Sequence, residues 1–119
     1  MASRTIIGRL AADPEVVPAG TIHLTKLRVI ENTGHYRHGT WTNDETPTTH
    51  FIECAFELGL NVAASLHKGD AVIVTGREKT VSWDKDGTKQ YARVIDAEAI
   101  GADLSRATAT ITRNTVTTE

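Results

Sequence analysis

The chain has 119 residues, the size of one domain, and its 39% hydrophobic content supports one compact core rather than two. Its apolar runs are too short to cross a membrane as a helix, Met1-Ala2-Ser3-Arg4 lacks the apolar stretch of a signal peptide, and the single cysteine, Cys54, excludes an intrachain disulfide and fits a reducing compartment. Thirteen Lys and Arg against fifteen Asp and Glu leave a formal net charge of -2, so a polyanionic ligand would have to be met by cations gathered on one face.

Strand signals dominate the chain in order. Thr5-Ile6-Ile7-Gly8-Arg9-Leu10 is a β-branched run stopped by Asp13-Pro14, and Pro18-Ala19-Gly20 is a turn. From Ile22 a second strand alternates Leu24, Lys26 and Arg28 against Leu27 and Val29. Gly34, Gly39, Asn43 and Pro47 mark residues 32 to 47 as a long loop, and Phe51 to Phe56 reads as a third strand. Alanines and Leu66 at helical spacing predict a short helix over Asn61–Leu66, closed by Gly69. A fourth strand runs from Ala71 through Gly76 to about Trp83. Asp84-Lys85-Asp86-Gly87 is a hairpin turn, and a fifth strand returns from about Thr88 to Ile100.

This order, all-β with one helix between the third and fourth strands, predicts a five-stranded OB-fold barrel over residues 1–101. Another small barrel or an open α+β sheet competes with it. Beyond Gly101 the chain is threonine-rich, either a disordered end or an extra edge strand. The alternation in Ala107-Thr108-Ala109-Thr110-Ile111-Thr112 favours a strand ending near Arg113, with 114–119 as a flexible end.

The most informative segment is Arg77 to Trp83, where Arg77, Lys79, Val81 and Trp83 share one face by period two. Placing Trp83 opposite Tyr91 sets Val81 against Arg93 and Lys79 against Ile95. One side of the hairpin then carries two rings and several cations. Aromatic residues interleaved with basic ones suit a single-stranded nucleic acid, because a ring stacks on any base while a cation meets the adjacent phosphate. The plainer alternative is a Trp83–Tyr91 pair that only braces the hairpin. Lys26 and Arg28 offer a second basic pair, for which a solvated face is the competing reading. Tyr36, Arg37 and Trp41 lie in the polar loop, where a large ring has little core reason to exist. Phe51 and Phe56 differ in parity, so a regular strand sends only one of them to the core. His35 and His38 lack Cys or carboxylate partners at metal-site spacing, and no nucleophilic triad or phosphate-cradling loop is present. Neither a metal, a cofactor nor an enzymatic activity is expected.

At these residues the chain resembles the bacterial single-stranded DNA-binding protein family. The similar segments are Ile7-Gly8-Arg9-Leu10-Ala11-Ala12-Asp13-Pro14-Glu15, Lys26-Leu27-Arg28-Val29, Asn61-Val62-Ala63, Leu66 through Arg77, Trp83, and Asp86-Gly87 through Tyr91. Their order and spacing over roughly residues 4 to 113 carry the resemblance, more than any one motif. It implies an OB-fold homotetramer that binds and protects single-stranded DNA in replication, recombination or repair, in the nucleoid of the cytoplasm. Stacking is implied for Trp83, Tyr36, Phe51 and Phe56. Residues 101 to 109 are similar to actinobacterial members, in which an added C-terminal strand clamps neighbouring subunits. Members usually continue into a flexible linker and an acidic tip that recruits other enzymes. Nothing after Gly101 resembles that tip, so recruitment through it is not expected of this chain. A truncated chain and a tail-less paralogue both fit. An OB-fold protein-interaction subunit and an RNA-binding protein remain alternatives.

Overall fold

The computed structural model describes residues 2–31, 34–43 and 47–115. Among these residues, eight strands and one helix follow in the order β1 (Ala2–Leu10), β2 (Glu15–Ala19), β3 (Ile22–Glu31), β4 (Gly34–Arg37), β5 (Thr40–Asn43), β6 (Thr48–Ala55), α1 (Phe56–Ser65), β7 (Ala71–Lys85) and β8 (Thr88–Ala102). The main sheet has the order β1-β7-β8-β6-β3-β2, and β1 also pairs with β3 through Arg9↔Ile30 and Leu10↔Val29. That second pairing closes β1, β3, β6, β8 and β7 into a five-stranded barrel, the OB-fold arrangement that the strand order implies. Every adjacent pair is antiparallel except β6 and β8.

The core follows from alternation. On β3, Thr25, Leu27 and Val29 are buried while Lys26 and Arg28 are exposed. Ile6, Leu10, Ile52, Cys54, Val72, Val74 and Ile95 complete the interior, and Val62 and Leu66 of α1 and its C-terminal end plug it. Burying such aliphatic side chains stabilises a domain of this size by about 1.5–3 kcal/mol each.

Several boundaries differ from the sequence expectations. Glu15–Ala19 is a strand of its own, paired along β3 from Glu15↔Lys26 to Ala19↔Ile22. The expected loop over 32–47 contains a hairpin, β4 and β5, turned by His38 (φ 52) and Gly39 (φ 78). His-Gly is not among the strong hairpin dipeptides, which hid the turn. Residues 32–33 and 44–46 lie outside the described residues. The third barrel strand ends at Ala55, and the helix begins at Phe56, five residues before the expected start. Gly69 (φ 92) does not cap α1, whose C-cap is the extended Leu66. It turns the connection to β7 instead.

The register of the β7–β8 hairpin is also corrected. Asp86 (φ 51) and Gly87 (φ 78) form a two-residue turn between Lys85 and Thr88. Trp83 therefore pairs with Gln90, Val81 with Ala92 and Lys79 with Val94, while Tyr91 pairs with Ser82 and Arg93 with Thr80. A shift of one residue moves a side chain to the other face, so Tyr91 and Arg93 lie opposite Trp83.

Among the described residues, 103–115 join no strand of this chain. Asp103 N–H donates to the Ala71 carbonyl at 2.9 Å, and the Ser105 hydroxyl and amide bind the Asp103 carboxylate and hold it below the usual carboxylate range. Farther on, Asn114 Nδ2 donates to Glu57 Oε2 at 2.6 Å and Asn61 Oδ1 at 3.0 Å, one turn apart on α1. The end expected to be flexible from 114 lies mostly outside the described residues.

Candidate nucleic-acid interface

The outer face of the barrel, opposite the core side chains, is set by the register of four strands. Arg28 on β3 pairs with Phe51 on β6, Phe51 with Val94 on β8, and Val94 with Lys79 on β7. Paired residues point to the same side, so these four form one row across the sheet. The next row reads Lys26, Glu53, Asp96 and Arg77, with Glu15 of β2 beyond Lys26. Toward the turn, the row residues Val81 and Ala92 lead to Trp83 and Gln90.

These rows enclose a groove of about 550 Å³. Trp83 and Phe51 stand on its walls at 47% and 48% exposed, each offering a free ring surface. Val81, Ala92 and Val94 give an apolar floor between them, and Lys26 and Arg28 line one side. Rings with free faces, an apolar floor and flanking cations can take unpaired bases on the rings and phosphates at the rim. Asp13, Glu15 and Glu53 also line the groove. Asp13 is engaged, accepting from Lys68 N–H at 2.8 Å. Glu53 Oε1 lies 3.8 Å from Lys79 Nζ.

The expected site residues thus divide. Trp83, Phe51, Lys26 and Arg28 come together in the groove, with Lys79 at its edge. Arg77 shares the parity of Lys79 but leans to Glu98, with Nε 3.7 Å from its carboxylate. Tyr91 and Arg93 are on the other side. There Arg93 and Arg4 both reach Glu78, at 3.4 and 3.3 Å, and this cluster ties β8 and β1 to β7. Phe56 is not in a strand, so the parity argument between it and Phe51 fails, and both rings are exposed. Phe56 opens α1 with φ 58. Tyr36 and Trp41 pair across the β4–β5 hairpin, their ring centroids 5.2 Å apart at 74°. This edge-to-face contact holds the two rings together while Tyr36 stays 74% exposed.

Both hairpins leave the same end of the barrel. The parallel register Phe51↔Val94 puts Thr48, the root of the β4–β5 arm, level with Tyr91 near the β7–β8 turn. The floor residues Ala92 and Val94 and the carboxylates Glu15 and Glu53 were not expected in the site. The correct hairpin register would have found the first two. The acids lie on strand faces that alternation also exposes, and only tertiary pairing brings them beside Lys26 and Lys79. Among the described residues no group of His, Cys, Asp and Glu could hold a metal ion.

Residues 1–103 match the model of the single-strand binding protein family. The chain is 34% identical over 116 residues to the single-stranded DNA-binding protein 2 of Streptomyces coelicolor, a match covering 92% of this chain and 56% of that protein. It therefore spans little more than half the length of that relative. The single-stranded DNA-binding protein of Mycolicibacterium smegmatis is 33% identical over 116 residues, covering 92% of this chain and 68% of that protein. Among solved structures, the small single-stranded DNA-binding protein from Streptomyces coelicolor superposes with a TM-score of 0.76 at 25% identity, over 89% of this chain and 97% of that one. The second single-stranded DNA-binding protein from Mycobacterium smegmatis gives 0.77 at 26% identity, over 98% of this chain and 100% of that one.

Proposed function

The chain belongs to the single-strand binding protein family, and from that premise we propose that it binds single-stranded DNA without sequence preference, as a non-enzymatic protein that protects exposed strands during replication, recombination or repair. The observation that carries this reading is the groove in which Trp83 and Phe51 face one apolar floor beside Lys26 and Arg28. Bases stack on the two rings, and phosphates follow the cations. Tyr36 and Trp41 extend the path along the β4–β5 arm, which rises from the same end as the Trp83 hairpin. Arg77 and Lys79 sit where the strand would leave the groove.

The reading extends to assembly. The chain acts as a homotetramer at the nucleoid in the cytoplasm, and residues 102–113 clamp a neighbouring subunit. Support for the clamp is that residues 104–115 are exposed and find no sheet partner among the described residues of their own chain. Light scattering on the purified protein checks the assembly, with four copies expected.

Titration with oligo-dT while tryptophan fluorescence is followed tests the binding, because stacking on Trp83 or Trp41 quenches emission. Unchanged fluorescence together with no gel shift would refute it. A matched RNA strand as competitor separates DNA binding from the RNA alternative.

A further inference from the structure

The chemistry of the groove is mixed in a way that base stacking does not require. Glu53 stands in its middle row, with Lys26 paired beside it on β3 and Lys79 Nζ 3.8 Å from its Oε1. Its side chain is only 19% exposed, so its charge is screened less than that of a surface carboxylate. One carboxylate is thus placed between two lysines of the face that would meet phosphates. Asp96, the next residue in the row, adds a second negative charge rather than relieving the first. Arg28, by contrast, has no ion pair among the described residues.

We propose that Glu53 is an internal competitor for the phosphate backbone and sets how tightly the groove holds a strand. The inference rests on the groove being the single-stranded DNA site. A phosphate at Lys79 competes with the Glu53 carboxylate 3.8 Å from Nζ, and it approaches Lys26 against the repulsion of the same carboxylate. Binding then releases fewer counterions than the number of basic side chains suggests, and its salt dependence is shallow. The rings continue to hold bases, since stacking does not depend on this charge. A strand held mainly by stacking and weakly by charge exchanges readily among proteins that compete for it.

The test compares wild type and Glu53→Gln in the full chain, using fluorescent oligo-dT over a range of NaCl concentrations. Gln keeps the shape and removes the charge. Glu53→Gln is expected to bind about two- to fivefold tighter at low salt, the range an ion pair of partly exposed groups is worth. The plot of log affinity against log salt should steepen by about 0.7 for each lysine released. Glu57→Gln on α1, outside the groove, removes the same net charge and should change neither quantity. Equal affinity and slope in wild type and Glu53→Gln overturn the proposal. So does weaker binding by a Glu53→Gln variant of unchanged melting temperature, which would make Glu53 a positioning residue for Lys79. An equal gain in Glu57→Gln also overturns it, since net charge alone would then be the cause. Wild type that binds no oligo-dT at any salt would instead refute the single-stranded DNA reading beneath it.

Discussion

At the scale of the residue, the face on which a ring lies decides its part. Trp83 stands in the groove with a free surface, whereas Tyr91, eight positions on and more exposed, points to the opposite side beside Arg93 and Glu78. Trp83→Ala should weaken oligo-dT binding by about 1–3 kcal/mol, a magnitude carried over from other single-strand-binding OB-folds. Tyr91→Ala should leave the affinity near wild type, and parallel fluorescence-anisotropy titrations check the contrast. Cys54 has a different significance. Burial first, and the Asp96 carboxylate second, push its thiol up to about 11. The thiol is neutral near pH 7 and should react with a thiol reagent only when the barrel opens. Because the folded value lies above the ordinary 9.0, the stability tied to this thiol is complete below pH 9 and is lost as pH rises toward 11. Denaturant midpoints across that alkaline range should fall less steeply in Cys54→Ala than in wild type.

At the scale of the element, turns set the register and register sets the site. The β7–β8 turn needs positive φ at Asp86 and Gly87. A residue with a Cβ pays about 1–2 kcal/mol in that conformation, so Gly87→Ala should lower the melting temperature by several degrees. Calorimetry measures the loss. The β4–β5 arm has a similar turn at His38 and Gly39, but among the described residues its two short strands pair only with each other. Tyr36 and Trp41 meet edge to face across it, and on β3 and β6 His50 Nε2 lies 3.0 Å from Glu31 Oε1.

At the scale of the whole molecule, the described shape is open. The radius of gyration is 16.5 Å, against about 13.5 Å for a compact chain of this length. Two hairpin arms and the segment after β8 have no core of their own. Removing residues 104–119 should leave the far-ultraviolet circular dichroism and the barrel's cooperative melting nearly unchanged, because residues 104–115 are exposed. The same truncation should shift light scattering toward smaller assemblies, as expected of a clamp lost from its neighbour.

Much of this was legible in the sequence, for reasons of local chemistry. Alternation on Leu27 and Val29 against Lys26 and Arg28, the β-branched run at Thr5, and the Asp-Gly dipeptide each act over a few residues, and together they determined the strand order and the barrel. The spacing of those segments carried the family. What the tertiary structure decided was relative placement. A two-residue turn rather than a longer one moved Tyr91 to the far side, and a sharp exit from β6 at Ala55 carried Phe56 out of its strand. Above all, the parallel pairing of β6 with β8 joined Trp83 to Phe51 and set Glu53 beside Lys79, residues 32 and 26 positions apart in the chain. Rings and charges that distant in sequence meet only through the closure of the barrel. A sequence can therefore name the aromatic and basic residues, but only the closed sheet determines which of them share a face and which acids stand among them.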